Sequence, residues 1–324
     1  MTDDPRDQAA RRRTLALLLA GAAGTLAWPG GASAATSKTL RIGYQKYGTL
    51  TLLKGRGLLE QRLAPLGVTV HWSEFPSGPV LLEALNVGAI DFGTVGEAPP
   101  IFAQAAGADF VYVANEPPSP SSEAIVVPNN SPLRLPSDLR GKKIALNKGS
   151  NVHYLLVKAL EKEGIAYRDI TPVYLAPADA RAAFERGSVD AWVIWDPFLA
   201  AAERQLKARI LADGKGLVAN HQFYLAARAW AAASPELVRI VVEELGRVDE
   251  WGRSHQQEVA AILTAQTGLE ADVVALAAQR FTFGARAVTP DVLRAQQGVA
   301  DAFAALKLIP VPLSVAAARL PYSL

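Results

Sequence analysis

The chain has 324 residues, 33 Lys and Arg against 31 Asp and Glu, a formal net charge of +2, four histidines and no cysteine. The missing cysteines exclude disulfides, thiolate metal sites and a cysteine nucleophile, and the near-neutral balance lacks the basic face that nucleic acid demands. His71, His153, His221 and His255 include no i, i+4 pair and no HExxH, so neither a metal site nor a cofactor is expected.

Residues 1–34 read as an export signal. Arg11-Arg12-Arg13 precedes a short apolar run from Leu15 to Trp28, and Ala32-Ser33-Ala34 supplies a small-x-small cleavage site. The run is shorter than the ~20 apolar residues a membrane span needs. Arg12-Arg13-Thr14-Leu15 also suits the twin-arginine route. Cleavage is expected near Ala35, leaving a body of about +1, because residues 1–34 carry four arginines and three aspartates.

Leu40–Tyr44 alternates and predicts a strand; 45–50 is a polar loop and 51–61 a helix. A strand over 68–75, a helix over 78–87, a strand over 89–95, a helix to Ala106 and a strand over 110–114 complete a βαβαβαβ series, which predicts a doubly wound sheet. After the break at 117–122 come strands at 124–127, 143–146, 173–175 and 191–195, with helices over 152–163, 177–186 and 197–206. Short strands are expected at 210–211 and 223–227. Beyond Pro235 the chain reads as helical almost to its end, with breaks at Gly268 and 284–290. This predicts two α/β lobes, the first from 35–125 and 219–324, the second, 126–218, inserted into it.

Ligands of open α/β sheets bind at the carboxyl ends of strands, where helix N-termini offer unpaired N–H groups to anions. Gln45-Lys46-Tyr47-Gly48-Thr49 follows the first strand: Gly48 allows close backbone approach, Thr49 or Thr51 can cap the helix, and Lys46 can neutralise an anion or sit in solvent. Gly96 follows the third strand. Glu97 either points away, caps its helix or meets a cationic part of a ligand. Ser150 is an N-cap candidate that can also face a ligand oxygen, and His153 either lines the cleft or packs. Trp195 ends a strand where its indole can cover an organic ligand; Asp196 and Pro197 suit the N-cap and first helical position. Phe223-Tyr224 lies beside the expected cleft. No GxSxG, P-loop or GxGxxG after a strand is present.

Several ordered blocks resemble the periplasmic aliphatic sulfonate-binding proteins of ABC importers. They are Arg41-Ile42-Gly43-Tyr44-Gln45-Lys46, Glu83-Ala84-Leu85-Asn86-Val87-Gly88, residues 99–108, Lys148-Gly149-Ser150, residues 177–184, Ile194-Trp195-Asp196-Pro197 and residues 223–228. The resemblance implies a two-lobed, type II-like periplasmic binding protein, each lobe a doubly wound mixed sheet. It further implies a small organic anion such as an alkanesulfonate as ligand and a membrane ABC permease as partner; a monomer is expected. By matching position, its ligand region falls on Gln45 and the following loop, Gly96-Glu97, Ser150-Asn151, Trp195-Asp196 and Phe223. Relatives on the same scaffold carry taurine, nitrate or thiamine precursors, and an enzyme of thiamine or pyrimidine-precursor chemistry is the competing class. A ligand sensor docking on a membrane receptor is a third.

Overall fold

Leu40 and Ile42 are fully buried in the first strand, β1 (Lys38–Tyr44). The computed structural model describes residues 38–324, so the expected export signal lies outside the described residues. After β1 come α1 (Thr49–Arg56), α2 (Leu58–Leu63), β2 (Val68–Glu74), α3 (Gly78–Asn86), β3 (Phe92–Gly96), α4 (Pro99–Ala105) and β4 (Phe110–Asn115). The next stretch holds β5 (Glu123–Val127), β6 (Lys143–Leu146), α5 (Asn151–Lys162), β7 (Thr171–Tyr174), α6 (Pro177–Glu185), β8 (Ala191–Trp195), α7 (Phe198–Gln205) and β9 (Arg209–Asp213). The chain closes with β10 (Gln222–Ala227), α8 (Arg228–Ala233), α9 (Pro235–Ser254), α10 (Gln256–Thr267), α11 (Ala271–Arg280), β11 (Arg286–Ala287) and α12 (Pro290–Ala305).

Two mixed sheets result. The six-stranded sheet has the order β11-β4-β10-β3-β1-β2 and the five-stranded sheet β7-β6-β8-β5-β9. β1 is parallel to β2 and β3, and β6 is parallel to β7 and β8. The returning strand β10 is wedged antiparallel between β3 and β4, while β5 runs antiparallel to β8 and β9. The second sheet takes all its strands from within the sequence that separates β4 from β10, giving a two-lobed α/β molecule.

Both faces of each sheet are covered, so period-two alternation sends neighbouring residues into different cores. In β10, Tyr224 and Ala226 pack with Leu40, Ile42 and helices α1 and α9, whereas Phe223 and Leu225 pack with Leu81, Tyr112 and Phe303. In β8, Ala191 and Val193 face the α5 side, and Trp192 and Ile194 face the α6 and α7 side.

The structure corrects several element bounds. The first helix begins at Thr49 rather than Thr51 and ends at Gly57, whose left-handed φ of 62° stops it and lets α2 start at a new angle. The helical C-terminal stretch also breaks at His255 and contains β11. That two-residue strand forms because β4 offers it a free edge, a partner far away in sequence.

Candidate ligand-binding cleft

Six strand-to-helix turns meet around one cavity of about 420 Å³. From the first sheet come residues 45–49 after β1, 74–76 after β2 and Gly96 at the end of β3; from the second come Ser150 and Asn151 after β6, 176–178 after β7, and 195–198 after β8. The first N–H groups of a helix have no acceptor within it and carry partial positive charge. α1, α3, α5, α6 and α7 all begin at the cavity wall, at Gly48-Thr49, Gly78, Ser150-Asn151, Pro177-Ala178 and Pro197-Phe198. α4 also starts there, but Pro99 and Pro100 have no N–H to offer.

The wall carries one formal cation, Lys46, and two acids, Glu74 and Asp196. Lys46 Nζ lies 3.9 Å from Glu74 and 3.5 Å from the Thr267 carbonyl. Asp196 is buried, which pushes its carboxyl up to about 7 against the opposing pull of Arg280. An anion in this space therefore meets dipolar donors rather than a lone cation. The aromatic wall combines Trp195, edge-on to Phe198 at 6.1 Å, with Tyr47, edge-on to Phe281 at 5.3 Å. The Tyr47 hydroxyl donates to the Ala277 carbonyl, which fixes its ring. Gln45 Nε2 donates to the Thr94 carbonyl at 3.2 Å and ties the β1 turn to β3.

Gly96 and Asn151 form the floor between the two sheets. A Cβ added to Gly96 would stand 2.9 Å from Asn151 Cγ, so only glycine lets the two touch. Asn151 Nδ2 donates to Glu123 at 2.5 Å and to Asn220 Oδ1 at 2.9 Å.

Of the residues expected to bind, Gln45, Lys46, Tyr47, Gly48, Thr49, Gly96, Ser150, Asn151, Trp195 and Asp196 line this cavity. Glu97, His153 and Phe223 do not. Glu97 lies behind the floor on a separate cavity of about 330 Å³, accepting the His221 N–H at 3.2 Å. His153 is fully buried on α5 against Phe102 and Phe303. Its Nδ1 accepts the Gly149 N–H at 3.2 Å, which places the proton on Nε2, 2.8 Å from the Tyr167 hydroxyl. Burial holds this ring down to about 4, so it is neutral packing. Phe223 points to the opposite face of β10 from Gln222 and Tyr224, which take its place on the wall.

Expected side-chain roles shift as well. Neither Thr49 nor Thr51 caps α1: Thr49 Oγ1 lies 2.6 Å from Asp249 and 3.0 Å from Glu116, and Thr51 Oγ1 donates to the Gln45 carbonyl. Ser150 occupies the N-cap of α5, but its hydroxyl donates to the Asn147 carbonyl at 2.7 Å. Asp196 caps from one residue further out, accepting the Ala200 N–H at 3.0 Å. The hydroxyls and the carboxylate are thus engaged within the protein, and the Ser150 and Asp196 N–H groups donate to the Asn147 and Ser122 carbonyls. Sequence reasoning missed Glu74, Phe75, Ala178, Asn220 and Phe281. The turns after β2 and β7 were findable as strand ends; Asn220 and Phe281 carry no local signal.

Two α/β sheets whose parallel strands end at one shared cavity of small-molecule size define a two-lobed solute-binding protein. The chain belongs to the NMT1/THI5-like family, whose sequence profile matches residues 67–259. It is 44% identical to an aliphatic sulfonates-binding protein of Escherichia coli over 88% of this chain and 89% of that one. Among solved structures, the alkanesulfonate-binding protein SsuA from Xanthomonas axonopodis pv. citri, bound to MOPS, is 45% identical with a TM-score of 0.84, covering 87% of this chain and 98% of that one. The periplasmic aliphatic sulphonate-binding protein SsuA from Escherichia coli is 44% identical with a TM-score of 0.80, covering 88% and 93%. The likeness read from the sequence blocks therefore holds, and relatives this close are binding proteins rather than enzymes.

Proposed function

We propose that this protein is exported by its N-terminal signal, captures an aliphatic sulfonate or similar organosulfur anion, and delivers it as a monomer to an ABC permease. The carrying observation is the meeting of five N–H-bearing helix starts at one cavity with an aromatic wall. A sulfonate is a permanent anion with three acceptor oxygens and an apolar tail. Backbone donors at Gly48-Thr49, Gly96 and Asn151, beside Ser150, suit the oxygens; Trp195, Tyr47 and Phe281 suit the tail. Gln45, Lys46 and Asp196 complete the proposed set. Closure of the lobes would exclude water and strengthen each of these hydrogen bonds. Support also comes from the relative whose structure holds MOPS, itself a sulfonate.

The test is calorimetric titration of ligand-free, refolded protein with alkanesulfonates, taurine, nitrate and sulfate. Binding of an alkanesulfonate in preference to the inorganic anions is expected; no organosulfonate binding in the millimolar range rejects the reading. Co-purification with a permease separates transport from a receptor-docking sensor.

A further inference from the structure

Behind the cavity floor, Glu97 and Glu123 are 2% and 0% exposed. They bracket one dipeptide. Glu97 Oε2 accepts the His221 N–H, and Glu123 Oε2 accepts from Asn151 Nδ2, which also reaches the Asn220 side chain. The second oxygen of each carboxyl is buried without a hydrogen-bond partner. A fully buried carboxylate with an orphan oxygen and no counter-charge is unstable as an anion.

Among the described residues no cation is bonded to either carboxyl, although Arg286 acts on the neighbouring His221 ring. From α5 the facing groups are Asn151 and Tyr154; from the returning segment, Asn220 and His221; from α12, Gln296, whose amide donates to the Glu97 carbonyl. From β8, Trp195 pairs with Glu123. His221 Nδ1 lies 2.9 Å from the Glu116 carbonyl, and burial lowers its pKa, so its ring is neutral. Among the described residues, no lysine or arginine hydrogen-bonds or ion-pairs with either carboxyl; Lys46 pairs with Glu74, and Arg280 with Asp196 and Glu203.

We infer that capture of an anion in the cavity is accompanied by uptake of one proton from solvent at the Glu97–Glu123 pair. This rests on the anion-binding reading above. Asn151 joins the cavity floor to Glu123 directly, and Gly96 on the same floor is the chain neighbour of Glu97. A head group resting there places a second negative charge beside the pair, which raises carboxyl proton affinity. The reaction is simple: one carboxylate becomes a carboxylic acid, with the proton supplied by water or buffer. Burial already pushes Glu97 up to about 7 and Glu123 well above the ordinary range, with the Glu97 charge adding to the latter. Glu123, fully buried and raised further by the Glu97 charge, holds its proton the more strongly, and Glu97 is the group left to respond.

A sulfonate does not itself titrate near neutrality, so any pH dependence belongs to the protein. The experiment titrates the ligand-free protein with butane-1-sulfonate between about pH 6 and 8.5 in imidazole, bis-Tris and Tris, since common zwitterionic buffers are sulfonates; one-proton linkage predicts an association constant falling about tenfold per pH unit above neutrality. Binding heats should also vary with buffer ionisation enthalpy, a readout that needs no variant. Glu97→Gln should bind with a flat pH profile. A flat profile and buffer-independent heats in the wild type overturn the inference while leaving the sulfonate reading intact. A slope that survives in Glu97→Gln overturns it too, because the proton then goes elsewhere, Asp196 being the buried acid on the cavity wall itself. Absence of sulfonate binding at every pH overturns the underlying functional reading and this inference with it.

Discussion

Arg280 of α11 reaches Asp196 at the end of β8, with its Nη1 3.5 Å from Oδ1, while its Nη2 lies 2.5 Å from Glu203 on α7. It thereby ties the C-terminal helices to the turn that carries Trp195. Asp196 is almost wholly buried and one of its oxygens has no partner, so its charge depends on Arg280.

Arg280→Met should therefore be costlier in base than in acid. The folded pKa of Asp196 already exceeds its unfolded value, so its contribution is complete below the unfolded pKa and is lost as pH rises through about 7. Without Arg280 the folded pKa climbs further. At about pH 8, urea unfolding should show a loss larger than that near pH 5 by up to about 1.4 kcal/mol, the cost of keeping the carboxyl protonated one unit above its wild-type midpoint at 1.36 kcal/mol per unit. An equal penalty at both values contradicts this account.

Trp195→Ala removes the indole from the cavity wall. Loss of one large apolar contact is worth roughly 1–3 kcal/mol, so butane-1-sulfonate should bind about 5- to 150-fold more weakly. Unchanged affinity by calorimetry takes Trp195 out of the binding surface.

Gly96→Ala places a methyl 2.9 Å from Asn151 Cγ and 3.0 Å from its Cβ and Oδ1. Asn151 is held by Glu123 and Asn220 and cannot retreat freely. Weakened sulfonate binding together with about 1–3 kcal/mol of lost stability is expected, the range for overpacking a tight site. A variant that titrates like the wild type would mean that the floor is not where the head group rests.

His153 and Glu97 should leave opposite pH signatures on stability. The folded pKa of His153, about 4, lies below its unfolded value of 6.5, so its contribution is present above 6.5 and lost as pH falls through 4. Glu97 is raised from 4.5 to about 7, so its contribution is present below 4.5 and lost as pH rises through 7. Each is worth about 3 kcal/mol at 1.36 kcal/mol per unit, and where the two ranges overlap their slopes oppose each other. Denaturant titration across pH 4 to 7.5 (about one unit per step) should show His153→Gln losing the acid-side decline and Glu97→Gln losing the neutral-side decline. Parallel curves for wild type and both variants would refute both assignments.

Local chemistry made many elements legible. The strands at Lys143–Leu146 and Ala191–Trp195 were read with their observed ends, because apolar runs there stop at polar, glycine or proline residues. The strand-end turns carrying Gln45, Gly48, Ser150 and Trp195 were legible for the same reason. Phe223 and His153 were misplaced because each has the right chain position and the wrong facing. Phe223 alternates away from the cavity, and His153 sits where α5 meets α4 and α12.

What the sequence by itself determined is the order of alternating strands and helices, the helix-start chemistry at each strand end, and the kinship carried by ordered residue blocks. All of these depend on neighbours a few positions apart. Tertiary structure alone decided that β10 enters between β3 and β4, that Phe281 and Asn220 reach the cavity wall, and that Glu97 directly, and Glu123 through Asn151, meet one buried dipeptide. These relations join residues far apart in the chain, and they arise only when burial of the sheet faces sets which distant side chains share a space from which water is excluded.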